Sequence, residues 1–276
     1  MAIVTVSQEI GSGGSEIATA LADRLGYRYV DQDMISQAAQ KYGVDEAKLA
    51  PLDETKPSLF ERFDVETRQY ITVLQSALLD VAEVDNVVIM GRGGQVLLRG
   101  IQHVLRVRVM APFDLRVKRV MKGMAARMGE TVDARTMAET VRRNDHQKFG
   151  RMRYLYDVDW SDPSLYDVVI NTEKLTPDAG VDAVVGLLQR PELAATESSR
   201  QTVRDRALAS RVRTALAAHP DTRKVRINVI EADHGIVLLE GTTALERARE
   251  VARTVSGVVD AKTQLLEVPP IPPFVA

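Results

Sequence analysis

Cysteine is absent from all 276 residues, so neither disulfides nor thiolate metal sites are available to this chain. That composition is compatible with a cytoplasmic location. Histidine is scarce as well. His103, His146, His219 and His234 are scattered with no metal-ligand spacing, and only His146 falls among other candidate residues. Charge of one sign is not in excess: the formal net charge of −2 gives no reason to expect a nucleic-acid partner or a membrane surface. No apolar run approaches the ~20 residues needed to cross a bilayer. The chain opens directly on a strand pattern without a basic or apolar leader, so no signal peptide is expected. What is present is 45% hydrophobic and 27% charged residues, the balance of a globular protein with a sizeable core.

The periodicity alternates. Short apolar strands are expected at residues 2–6, 27–30, 86–90, 104–110 and 167–171. Between them lie helical patterns over 17–25, 34–41, 59–82 and 131–149, and 181–188 is a closing helix, with Gly26 and Gly43 as stops and a break around Pro51 and Pro57. Strands alternating with helices predict a parallel α/β sheet whose strand carboxyl ends share one edge. Residues 191–198 are polar and aperiodic and read as a linker. Beyond them lies a second pattern: helix 203–218, strands 225–230 and 236–239 joined through "ADHG", helix 243–255 and strand 262–268. The tail, 269–276, is proline-rich.

Three stretches carry chemistry. In "SQEIGSGGSEIA" a strand feeds a glycine-rich turn and then a helix. Gly11, Gly13 and Gly14 permit a backbone whose N–H groups point at an anion, and Ser12 and Ser15 add hydroxyls. The full phosphate-loop pattern asks for Gly, four residues, then Gly-Lys-Ser/Thr. Here only Gly13 and Ser15 fit, with Gln8 at the first glycine and Gly14 at the lysine. A tight turn without a ligand is the alternative. In "VVIMGRGGQVLLRG" a strand end presents Arg92, whose guanidinium suits either a phosphate or a structural ion pair. "VRRNDHQKFGRMRY" places Arg142, Arg143, Lys148, Arg151 and Arg153 within twelve residues, either a phosphate-clamping lid or a solvated helix face. Trp160, the single tryptophan, reads as a packing residue.

"VSQEIGSGGSEIATALADRLGYRYVDQDMI", "VVIMGRGGQVLL" and "SLYDVVINTEKL" together resemble the cytidylate-kinase-like family, a branch of the P-loop nucleoside monophosphate kinases. The resemblance covers residues 1–190. It implies a P-loop kinase-like parallel sheet flanked by helices, and Mg²⁺·ATP-dependent phosphorylation of a nucleoside monophosphate, CMP or dCMP first. The loop without lysine is a feature of the branch. The resemblance also implies that Gly11–Ser15 cradle the donor's phosphates, with Ser15 next to Mg²⁺. Arg92 and Asp31 face the acceptor, and Arg142, Arg143, Asp145, Lys148 and Arg151 form the lid. One of Arg142, Arg143 or Lys148 is the candidate substitute for the missing lysine. Gly93 stands where the family's strand-end motif has aspartate, and Asn144 and Lys148 depart from its lid pattern. Residues 199–268, with Gly235, Val237, Leu239, Gly241 and Gly257-Val258, resemble a BON domain, a small α+β module associated with protein or anionic-lipid contact. Arg200, Arg204, Arg206, Arg211, Arg213, Arg223, Lys224 and Arg226 form a basic band there, read either as a solvated face or as a surface for an anionic partner. A catalytically weak nucleotide sensor acting through this module is the alternative function.

Overall fold

A computed structural model describes residues 2–40, 65–128 and 133–266. The expected break at Pro51 and Pro57, the stop at Gly43 and the tail 269–276 lie outside those residues.

The first domain is a five-stranded parallel sheet in the order β2-β3-β1-β4-β5. Its strands are β1 (Ile3–Gln8), β2 (Arg28–Val30), β3 (Val87–Met90), β4 (Val104–Met110) and β5 (Val168–Asn171). Around them run α1 (Gly14–Leu25), α2 (Gln32–Ala39), α3 (Val65–Ala82), α4 (Gly94–Leu97), α5 (Phe113–Met128), α6 (Ala134–Tyr156) and α7 (Pro177–Leu188). The central strands are apolar on both faces because both are covered. Ile3, Val87, Ile89 and Val104 face one core with residues of α2 and α3. Val4, Val6, Val88, Leu105, Val107 and Val109 face the other, packed on Ile17 and Leu21 of α1 and Val181 and Val184 of α7. β1 and β3 are neighbours, yet the chain leaves them toward opposite edges, β1 to β2 and β3 to β4. That divergence opens a crevice at their carboxyl ends, where open α/β sheets place ligands.

Gly26 ends α1 as expected, at φ +64°, its N–H donating to the Ala22 and Asp23 carbonyls. Gly150 does not interrupt α6, which runs as one helix to Tyr156 and is capped by Asp157 at φ 51°. The helix expected to finish at Phe149 is therefore two turns longer: a single interior glycine costs only ~1 kcal/mol, and Met152 and Tyr156 pack against Trp160 beyond it.

The second domain comprises α8 (Glu197–Ala218), β6 (Ile227–Asp233), β7 (Ile236–Gly241), α9 (Leu245–Arg253) and β8 (Asp260–Leu265). β6 and β7 form an antiparallel hairpin turned by His234 and Gly235, both at positive φ, and β8 adds parallel to β7. Between the domains, Pro191–Leu193 form a 3-10 turn with Leu193 packed on the first domain. Thr196 and Ser199 then close a reciprocal capping box at the start of α8.

α8 serves two cores. Val203 and Ala207 are buried in the first domain's core against α3, while Leu208, Val212 and Leu216 fill that of the second. The two stripes lie side by side on a 3.6-residue helix. Much of the basic band expected on a solvated face is instead engaged within the protein. Arg200 pairs with Asp85 at 3.0 Å, and Arg211 with Asp80 and Glu83 at 2.8 and 2.9 Å. Arg206 donates to the carbonyls of Leu97 and Arg99, and Arg204 pairs with Glu197. No helix among the described residues is long and apolar enough to cross a membrane.

Candidate functional site

The site begins at the turn after β1. Gly11 adopts φ +77°, and a Cβ there would lie 2.6 Å from the Arg116 carbonyl oxygen, so a side chain is excluded twice over. Gly13 caps α1 in the left-handed region, leaving the helix N-terminus open at Gly14. Gly14 is a glycine for another reason: a Cβ would fall 2.6 Å from Gln8 Cβ. The position that holds lysine in a full phosphate loop is thus covered by Gln8. Its Oε1 accepts from the Ser15 amide at 3.0 Å, and its Nε2 donates to Ser15 Oγ at 2.7 Å. The Ser12 amide is also satisfied internally, by the Glu9 carbonyl at 3.0 Å. Of the turn's amides, those of Gly11, Gly13 and Gly14 are the ones left for an anion among the described residues. Behind the turn, the Ser12 carbonyl accepts from Thr172 Oγ1 at 2.6 Å, and Arg119 holds Thr172 in place.

A cavity of about 390 Å³ opens beside this turn. Ser7 and Gln8 line it at the end of β1, Ser15 at the start of α1, and Met90, Gly91 and Arg92 at the end of β3. Asp31 and Asp33 approach from α2, Tyr70, Ile71, Leu74 and Gln75 from α3. Lys148, Arg151, Met152 and Leu155 form the α6 wall, at the i, i+3, i+4, i+7 spacing of one helical face. Ser15, Asp31, Arg92, Lys148 and Arg151 are thereby brought together, although 140 residues separate Gln8 from the lysine that touches it.

Lys148 Nζ donates to the Gln8 carbonyl at 3.0 Å and stands 5.8 Å from the Trp160 ring. Burial pushes its pKa down to about 8, partly countered by Asp145 and reinforced by Arg151 and Arg116. Arg92 sits at φ 58° between two glycines at φ 78°, a left-handed arrangement that costs a non-glycine residue ~1–3 kcal/mol. Its Nη2 donates to Ser36 at 3.3 Å. Burial, then Arg151, lowers its pKa, against the opposing pull of Tyr156 and Asp33. Arginine nonetheless stays protonated in proteins. Two guanidiniums and an ammonium thus share one half-closed space, and an anion placed among them relieves their mutual repulsion.

Tyr156 explains the glycine at 93. A Cβ there would lie 2.6 Å from the tyrosine's Cζ and Oη, whose hydroxyl donates to the Arg92 carbonyl at 3.2 Å. Burial raises the Tyr156 pKa to about 12, keeping it a donor. An aspartate at 93 has no room.

Other expected residues fall elsewhere. Asp145 forms a paired ion bridge to Arg116 (2.8 and 3.1 Å) outside the cavity. Glu9 joins that network through Arg116 and Arg108, and Arg108 also donates to the Trp160 carbonyl and stacks on its ring. Arg142 lies over the Phe113 ring at 4.7 Å, and Arg143 and His146 are exposed. Asp31 also caps α2, accepting from the Met34 amide at 3.0 Å. Trp160 is buried as expected for packing and also forms cavity wall. Sequence reasoning missed Asp33, Tyr70, Gln75 and Tyr156. Extending α6 through Gly150 would have placed Tyr156 one turn beyond Met152 and two beyond Lys148, on the same face.

For Mg²⁺, Ser15 Oγ keeps a lone pair after accepting from Gln8 and fits an ion held mainly by phosphate oxygens and water. Among the described residues no group of three or more His, Asp or Glu side chains forms a dedicated metal cage.

Residues 3–174 match the family model described as the cytidylate kinase-like family, and residues 204–268 match that of the BON domain. The cytidylate kinase of Sulfolobus acidocaldarius is 27% identical over 191 residues, covering 69% of this chain and 96% of that protein. That of Halorubrum lacusprofundi is 32% identical over 197 residues, covering 71% and 93%. A crystal structure of a protein from Eubacterium ventriosum superposes with a TM-score of 0.53 at 19% identity, over 69% of this chain and all of that one, and shows the shared fold. With a β2-β3-β1-β4-β5 parallel sheet, a glycine turn at the first strand end and a family match over most of the first domain, this chain belongs to the cytidylate kinase-like family and carries a BON domain after it.

Proposed function

We propose that the protein is an ATP-dependent nucleoside monophosphate kinase, with CMP or dCMP as the first acceptor to test. The observation that carries this is Lys148: its ammonium reaches the phosphate turn from the opposite wall, at the Gln8 carbonyl, where the turn itself offers none. The donor's phosphates lie over the Gly11, Gly13 and Gly14 amides at the N-terminus of the twelve-residue α1. Arg92 and Arg151 hold the acceptor phosphate across the cavity. Ser15 would stand beside a nucleotide-bound Mg²⁺, which would supply neutralisation of phosphate charge. An acceptor phosphate oxygen attacks the γ-phosphorus as the bond to the β–γ bridging oxygen breaks, yielding ADP and a nucleoside diphosphate. Lys148 and Arg151 face the charge spread over the transferred group, so positioning and electrostatics do the chemistry. The cytidylate kinase names of the relatives support the acceptor class. Residues 1–190 serve as the kinase unit and 199–268 as the interaction module.

Gln8 favours a second reading. It occupies the Ser15 amide and hydroxyl that a bound phosphate would use, as a weak nucleotide sensor tolerates and a fast kinase must undo. Purified protein with Mg²⁺·ATP and a panel of monophosphates separates the two. ADP formed with one acceptor supports the kinase, nucleotide binding without transfer supports the sensor, and no binding at millimolar nucleotide rejects both.

A further inference from the structure

Opposite the acceptor cavity, α3 forms one wall of a second cavity of about 430 Å³, at the seam with the BON domain. Ile71 lines both. The floor of the seam is apolar, from Ile71, Leu216, Val225 and Ile227, and its polar groups include Arg213, Arg223 and Arg226. These three differ from the rest of the arginine band. Arg200, Arg204 and Arg211 have carboxylate partners, and Arg206 has two carbonyls. Among the described residues Arg213 meets only the Val229 carbonyl, at 3.4 Å, while the side chains of Arg223 and Arg226 have no partner. Burial lowers the Arg213 pKa with no carboxylate to oppose it.

We propose that this seam is a binding site for a small soluble organic phosphate. The guanidiniums supply the planar, forked donors that phosphate oxygens accept. The apolar floor takes the body of the molecule, and the volume is that of a small-ligand site. The ligand bears on the same turn of α3 that faces the acceptor, so its occupancy tightens Tyr70–Gln75. Binding at the seam does not depend on whether the other cavity transfers phosphate.

The test is isothermal titration of the full chain with phenyl phosphate and, separately, with inorganic phosphate. Phenyl phosphate is expected to bind, and to bind more tightly than inorganic phosphate because of the apolar floor. Its affinity should fall about tenfold or more in R223E/R226E, a change at two exposed side chains, and persist in R92A, which disables the first cavity instead. Slower amide exchange over residues 70–75 on addition of phenyl phosphate, lost in R223E/R226E, would localise the effect. Unchanged affinity in R223E/R226E, loss of binding in R92A alone, or equal affinity for the two phosphates would overturn the proposal. So would binding confined to phosphatidylglycerol vesicles.

Discussion

Two glycine turns end neighbouring strands and look almost alike. After β1 the chain reads Gly-Ser-Gly-Gly-Ser, and after β3 it reads Gly-Arg-Gly-Gly-Gln. Each puts a left-handed glycine, Gly13 at φ 86° or Gly93 at φ 78°, directly before a helix. Each also has a glycine roofed by a side chain, Gly14 by Gln8 and Gly93 by Tyr156. The helices behind them differ in length: the first has twelve residues and the second four. A long helix gives its N-terminal amides a useful dipole, whereas a single turn gives almost none. The first turn therefore offers backbone amides, and the cation beside it, Lys148, comes from α6. The second carries its own cation, Arg92, into the cavity. Under the proposed kinase function, similar local sequences divide the work, the donor going to amides and the acceptor to a guanidinium.

Substitutions test that contrast. K148A should have the largest effect, lowering kcat/KM by about 10²–10³-fold, the scale of losing one preorganised charge partner. R92A should act mainly through the acceptor's KM. Equal loss of donor and acceptor affinity in both variants would erase the distinction between the turns. G93A should cost about 2–4 kcal/mol of stability in denaturant titration, combining a positive φ with overpacking against Tyr156. G93A/Y156A should recover part of that loss, and strict additivity would deny the roofing contact. A smaller effect is expected from pH. The Lys148 pKa, lowered to about 8 by burial, leaves the ammonium charged below that value and neutral above it. Donor kcat/KM should fall as pH rises through about 8, and K148R should move that limb upward. Q8A frees the Ser15 amide and should tighten ATP binding by a few-fold, the worth of about one hydrogen bond. An unchanged Kd would show that Gln8 does not compete with phosphate. R143A, at an exposed position clear of the cavity, should leave rates unchanged.

The element order, the parallel sheet and the second module were legible in the amino-acid sequence. Their signals are local: apolar runs such as Val87–Met90, helical spacing such as Ile17, Leu21 and Leu25, and a turn at His234-Gly235. The two glycine turns and the cation cluster were legible for the same reason. The sequence pattern also left Arg142, Arg143 and Lys148 equivalent, because each is a cation in one polar helical stretch. Only the packing of α6 separates them, setting the half-buried Lys148 against the turn while Arg142 rests on Phe113 and Arg143 faces solvent. In the same way Asp145 became a structural partner of Arg116, and Val203 and Ala207 became part of the first domain's core. By itself, then, the chain's pattern determined which segments are strands and helices and which turns can meet an anion, since those depend on residues a few positions apart. The tertiary structure alone decided which cation lies against the first glycine turn, what fills the space above Gly14 and Gly93, and which arginines at the seam stay without a carboxylate. Those outcomes depend on side chains brought together from distant parts of the chain.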